Sequence, residues 1–395
     1  MEMTNTIDDN DEDDPLVDND NGPKVCLMKS DVPKIINNNN DENTQNSTST
    51  NSIDTIELQW QNLTYEIIVK SSLKLSSNKD EECATNNQHY CDNRRRRLLQ
   101  SLNGTIRTGE MTALIGPSGS GKTTLLECIS GRNKLFNQGT INVCTAIDNR
   151  KSMDSIRLAY LSHTDTMMMI LTVKETLLFA SKLMASSYDS KNSQQQPEAK
   201  QITNHLITKL GLDSCKNIYV GRCSNGQQKR LSIALELLFS PTILLLDEPT
   251  SGLDSVACIQ TIQLLRELAN DHQQPIAIML SIHQPTASML KYFNNLYVMA
   301  MNGHCLYNGP SEMMVDYLAK FNLYCPTYHN PADFITEIGI GNLCDTNTIE
   351  QLISAQQQQR QPQESMRIIS MKKIIQQSRS NGKSGIRQLY HLWLR

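Results

Sequence analysis

MTALIGPSGSGKTTLLECISG, residues 111 to 131, runs from a short apolar stretch through a glycine- and serine-rich turn into an apolar-striped helix. Met111 to Ile115 has the length and unbroken apolarity of a buried parallel strand. Leu125, Leu126 and Ile129 fall on one helical face, and Gly131 suits the helix end. Between strand and helix, Gly116, Pro117, Ser118, Gly119, Ser120, Gly121, Lys122 and Thr123 match G-x-x-x-x-G-K-[ST] at every position. Glycines let successive amides turn inward around phosphate oxygens, and the helix N-terminus adds partial positive charge. Lys122 is placed for the β- and γ-phosphates, the Thr123 hydroxyl for Mg²⁺, and Thr124 completes the helix start. The strand before and the helix after make this a P-loop rather than a chance glycine-rich turn.

Three stretches further along acquire roles from that loop. In PTILLLDEPTSGLDS, residues 241 to 255, the apolar run Ile243 to Leu246 ends in Asp247-Glu248. Read alone, the two carboxylates only cap a buried strand; behind a P-loop, Asp247 is expected at Mg²⁺ and Glu248 at the attacking water. The run Ile276 to Ile282 ends in His283, at the carboxyl end of a strand, where open α/β sheets build their sites. We assign His283 to the γ-phosphate. CSNGQQKR, residues 223 to 230, opens a helix whose Leu231, Leu235 and Leu238 share a face. Ser224 and Asn225 are good N-cap residues, and by itself the stretch is a helix start.

Composition bounds the rest. The 395 residues suffice for one large or two small domains, and 37 Lys and Arg against 41 Asp and Glu leave a net charge of −4. That balance speaks against a nucleic-acid partner. Eleven cysteines without a C-x-x-C pair speak against a zinc site and for a reducing compartment. No window approaches the ~18 to 20 apolar residues of a membrane span, so the chain as given reads as soluble. Residues 1–54, rich in Asp, Asn and Ser, are expected to be a disordered tail. Residues 56 to 70 alternate as an edge or hairpin strand does, and Arg94 to Arg97 read as an exposed loop. Residues 341–384 are Gln-rich and expected to be a flexible linker, and 385–395, GIRQLYHLWLR, is amphipathic.

The order of P-loop, long insertion, Ser224-led helix, Asp247-Glu248 and His283 resembles the ATP-binding cassette of ABC ATPases. The resemblance implies an α/β P-loop NTPase over residues 55–340, with a mostly parallel sheet core, an antiparallel β subdomain and a helical subdomain at about 165–240. Ser224, Asn225, Gly226 and Gln227 then occupy the signature motif, which closes over ATP held by a partner subunit; Ser251, Gly252, Leu253 and Asp254 form the D-loop. LTVKETLLFASKL (171–183), SIHQP (281–285), GHCLYNGP (303–310) and above all CPTYHNPADF (325–334) are similar to the G subfamily, the White-type half-transporters. That likeness implies ATP and Mg²⁺ as cofactors, pairing with a second half-transporter, and a place at the cytosolic face of a membrane. It also implies export of a lipid, sterol, pigment precursor or xenobiotic through a C-terminal membrane domain, with 385–395 starting the connecting helix. A truncated regulatory isoform and a stand-alone ABC ATPase are the rival readings.

Three positions depart from the family pattern. His163 stands at the Q-loop glutamine, a Mg²⁺-ligand position. Asn225 stands where glycine gives close approach to phosphate, which predicts weakened closure on the partner's ATP. No aromatic sits in register for adenine stacking: Tyr65 falls two positions short, where Ile67 stands.

Overall fold

The computed structural model of the chain describes residues 55–70, 93–133, 138–145, 156–163, 167–185, 199–358 and 367–370. The acidic tail 1–54 and the amphipathic segment 385–395 lie outside the described residues.

The first strands are β1 (Ile56–Lys70), β2 (Asn93–Arg107) and β3 (Met111–Ile115), followed by α1 (Lys122–Ile129), β4 (Gln138–Thr145) and β5 (Leu158–Leu161). Three helices come next, α2 (Val173–Ala185), α3 (Ala199–Lys209) and α4 (Asn225–Leu237). The chain then alternates through β6 (Ile243–Leu246), α5 (Ser255–Ala269), β7 (Ala277–Ser281), α6 (Ala287–Leu290), β8 (Asn295–Met299) and β9 (Cys305–Pro310). It closes with α7 (Met314–Ala319), α8 (Pro331–Ile340), α9 (Thr346–Gln358) and β10 (Arg367–Ser370).

A six-stranded sheet runs in the order β5-β6-β7-β3-β8-β9, parallel throughout except for the β8–β9 pair. Its central strands read MTALI, ILLL and AIMLS and are buried along their whole length, as strands covered on both faces must be. Because β6, β7 and β3 are neighbours running the same way, the loops leaving their carboxyl ends open at one edge of the sheet. The expected α/β architecture is therefore present.

A second sheet, β10-β4-β1-β2, is antiparallel. Leu58, Trp60, Leu63, Leu99 and Leu102 turn one of its faces inward against Tyr297 of β8, and the Trp60 and Tyr297 rings lie 5.5 Å apart. The alternation in residues 56 to 70 is thus a strand, but an interior one: β1 pairs with β2 on one side and β4 on the other.

Two expectations are overturned. Arg94 to Arg97 do not form a loop; they lie in β2 opposite Val69, Ile68, Ile67 and Glu66. Arg95, Arg96 and Arg97 are exposed there, and Arg97 Nε reaches Glu66 Oε1 at 2.7 Å, so charge is accommodated on an edge strand whose two faces are both open to solvent at this end. Residues 341–384 are not linker throughout, since α9 and β10 fall inside them. Ile349, Leu352 and Ile353 form an i, i+3, i+4 stripe that Gln-rich composition masks, and Leu352 is fully buried. Asn308 N–H donates to Gln356 Oε1 at 3.2 Å, and Tyr317 O–H donates to Leu352 O at 3.3 Å.

A candidate nucleotide site at the strand ends

The P-loop bends from β3 into α1 through backbone that only glycine adopts freely: φ is 79° at Gly119 and 99° at Gly121. A Cβ at Gly121 would lie 2.9 Å from Leu99 Cδ2, so sterics add to conformation there. Gly121 is the N-cap of α1 and supplies no side-chain acceptor, which leaves the first amides of the helix for an anion. Lys122 is 7% exposed and its ammonium donates to Gly116 O at 2.8 Å and Pro117 O at 2.9 Å. Burial lowers its pKa from the ordinary lysine value, while Glu248 and Asp247 act in the opposite direction. Ser120 Oγ is buried without a hydrogen-bond partner, a cost that an oxygen ligand in the loop would remove.

The far wall comes from β6 and β7. Thr123 Oγ1 donates to Asp247 Oδ2 at 2.9 Å across 124 residues of chain. Ser281 Oγ donates to the other carboxylate oxygen, Asp247 Oδ1, at 2.7 Å, and accepts the Glu248 N–H at 2.8 Å. One hydroxyl therefore orients both acidic residues, and Asp247 itself is 3% exposed. Glu248 takes a left-handed φ of 48°, a conformation uncommon for a residue with a side chain. Its Oε2 lies 3.5 Å from His163 Nδ1. His163, expected at Mg²⁺, is thus brought to the carboxylate assigned to water. His283 follows β7 on the same edge and is exposed.

Among the described residues no group of three His, Cys, Asp and Glu clusters as a metal cage. A hydroxyl beside one carboxylate at the mouth of a phosphate cradle is nevertheless the donor set that Mg²⁺ takes when phosphates and water complete its shell. Thr123 and Asp247 fit that ion.

The residues of the signature motif form a different surface. Ser224 N-caps α4 in a capping box: Gln227 N–H donates to Ser224 Oγ at 3.3 Å, and Ser224 N–H donates to Gln227 Oε1 at 3.0 Å. Asn225 is exposed, and its Nδ2 donates to Gly252 O at 3.1 Å. Asp254 caps α5 by accepting from Ala257 N–H at 2.9 Å, while Ser251 N–H donates to Glu248 O at 3.2 Å. The side-chain hydrogen bonds of Ser224, Asn225 and Gln227 stay within the motif and the D-loop; none reaches Gly116–Thr124.

Sequence reasoning missed Ser281. The available signal was a small hydroxyl at a strand end, two residues before His283 and beside the strand that carries Asp247. Tyr65, noted as out of register for adenine, packs half-buried against the antiparallel sheet's core.

Known proteins match the same residues. The ABC transporter family profile matches residues 99–251, and the profile described as ABC-2 type transporter matches 283–367. ABC transporter G family member 22 of Arabidopsis thaliana is 31% identical over 302 residues, covering 75% of this chain and 36% of its own length. ABC transporter G family member 2 of Dictyostelium discoideum is 32% identical over 289 residues, covering 71% of this chain and 20% of its own length. The CbiO1 subunit of an ABC transporter complex from Clostridium perfringens aligns with a TM-score of 0.47 at 23% identity, over 67% of this chain and 92% of its own. The chain thus spans well under half the length of these curated relatives, and among its described residues no helix is long and apolar enough to cross a membrane. Two transporter profiles in sequence order and relatives of one family over the P-loop, Asp247-Glu248 and His283 give the conclusion: the chain belongs to the G family of ABC transporters.

Proposed function

We propose that this chain is the ATP-binding and ATP-hydrolysing part of a G-type half-transporter at the cytosolic face of a membrane. Its cassette closes head to tail on that of a second half-transporter and powers export of a lipid, sterol, pigment precursor or xenobiotic. The observation that carries the reading is the Thr123–Asp247–Ser281–Glu248 chain of hydrogen bonds, which joins the phosphate cradle to the Asp247 carboxylate and the backbone amide of Glu248.

The P-loop amides and Lys122 bind the triphosphate, Lys122 exchanging the Gly116 and Pro117 carbonyls for phosphate oxygens. Thr123 and Asp247 would hold Mg²⁺, which when bound neutralises phosphate charge. Glu248, held at its amide by Ser281, orients the attacking water and accepts its proton; His163 steadies the free carboxylate oxygen. His283 contacts the γ-phosphate. Ser224, Gly226 and Gln227 present the α4 N-terminus to ATP bound by the partner, and Ser251–Asp254 carry the state of Glu248 to that same surface.

Glu248→Gln tests this. The amide keeps size and hydrogen bonding and loses basicity, so ATP turnover of the assembled protein should fall by about 10²- to 10⁴-fold while ATP binding persists. Turnover at the unsubstituted level would refute the role of Glu248.

A further inference from the structure

The segment after β7 is held at both ends with two exposed residues between. Ile282 is buried, and its N–H donates to Leu114 O of the P-loop strand at 3.1 Å. His283 and Gln284 are exposed, and Gln284 takes a left-handed φ of 51° just before a proline, a position where backbone choice is already restricted. Pro285 is buried again, and its carbonyl accepts from Asn330 Nδ2 at 2.7 Å.

Asn330 is the N-cap of α8, the helix that begins Pro331-Ala332-Asp333-Phe334, and every face of its carboxamide is used. Oδ1 accepts from Ala332 N–H at 3.3 Å, while Nδ2 gives one hydrogen to Pro285 O and another to Asp333 Oδ2 at 3.0 Å. The amide orientation is set by this chemistry, since reversing it would put oxygen against two acceptors. The helix is a firm support: Ala332, Ile335 and Ile338 are fully buried. Capping alone needs only an oxygen, which Ser or Asp supplies as well as Asn. The donor that reaches 45 residues back to Pro285 is specific to the carboxamide.

We propose that Asn330 is a positioning residue for ATP hydrolysis, its carboxamide anchoring the Pro285 carbonyl so that His283 is presented to the γ-phosphate. This rests on the role given to His283 above. The geometry makes the His283-Gln284 bulge a short span strung between β3 and α8, so loosening the α8 end frees the imidazole without touching the nucleotide cradle.

Asn330→Ser is the test, because it keeps a neutral capping oxygen and removes the Nδ2 donor, whose reach to Pro285 the shorter serine hydroxyl lacks. In the full chain, kcat for ATP should fall about two- to tenfold, the effect of one net hydrogen bond, with KM for Mg·ATP unchanged and the melting temperature lowered by no more than about a few degrees. Amide exchange over residues 282–286 should quicken while α8 stays protected. In a His283→Ala background, Asn330→Ser should cost nothing further. Unaltered kcat and unaltered exchange in Asn330→Ser, or losses that multiply fully with His283→Ala, would overturn the proposal. Full turnover in His283→Ala would instead refute the role of His283, and with it the catalytic consequence of Asn330; the exchange measurement still decides whether Asn330 holds the loop.

Discussion

The P-loop face and the signature face of this cassette are built by opposite means. On the first, functional groups are buried and wired across long stretches of chain: Lys122 is 7% and Asp247 3% exposed, and Thr123 and Ser281 meet on one carboxylate. On the second, Ser224 and Asn225 are exposed, and the motif is held by a capping box spanning three residues and one bond to the D-loop. A site that must fix charge in place needs low dielectric and saturated hydrogen bonds. A surface proposed to close on a second subunit needs only a preformed shape. Mutations should therefore cost much on the first face and little on the second.

The largest effect is expected from Asp247→Ala. It takes the acceptor from the Thr123 and Ser281 hydroxyl hydrogens and removes the ligand proposed for Mg²⁺, so Mg²⁺-dependent turnover should fall by at least about 10³-fold. Turnover within tenfold of the unsubstituted protein would break the comparison at its strongest point. Ser281→Ala comes next. Asp247 and the Glu248 amide each lose a buried partner, which predicts about 1–3 kcal/mol lost in denaturant unfolding and roughly tenfold lower turnover. A stability loss without a rate loss would make Ser281 a fold element only.

Asn225→Gly is smaller and of opposite sign. The Asn225–Gly252 bond is exposed and worth under about 1 kcal/mol, whereas removing the side chain would clear the helix N-terminus for the phosphate of the proposed partner. Turnover of the assembled dimer should rise about two- to fivefold; a fall would show that the tether to the D-loop outweighs close approach. Smallest is Gln227→Ala, which removes half of the capping box and should lower unfolding free energy by roughly 0.5–1 kcal/mol, measured by urea titration.

Legibility follows the distance over which a residue acts. The P-loop is readable because glycine conformations, the Lys122 charge and the flanking strand and helix are all local properties of residues 111–131. Asp247-Glu248 is readable once the loop is known, since a short apolar run pointing two carboxylates out of its end is also local. Ser281 and Asn330 are ordinary residues whose meaning lies in partners 34 and 45 residues away, Asp247 and Pro285. The arginine run misleads because charge density is a composition signal, while its pairing with residues 66–69 is a tertiary one. The Gln-rich segment misleads likewise: averaged composition hides Ile349, Leu352 and Ile353, which find a surface to pack on only after β9 and α7 are in place.

By itself, then, the amino-acid order determines the kind of fold, the phosphate-binding loop, the acidic strand end and the family likeness, because each is written in contiguous residues whose backbone and periodicity constrain themselves. The tertiary structure alone decided that one serine holds both the Asp247 carboxylate and the Glu248 amide, that His163 faces Glu248 rather than standing clear of it, and that Asn225 is tied to the D-loop. Those arrangements are hydrogen bonds between elements that meet only when the parallel strands lie side by side, and no periodicity in a chain encodes which end will face which.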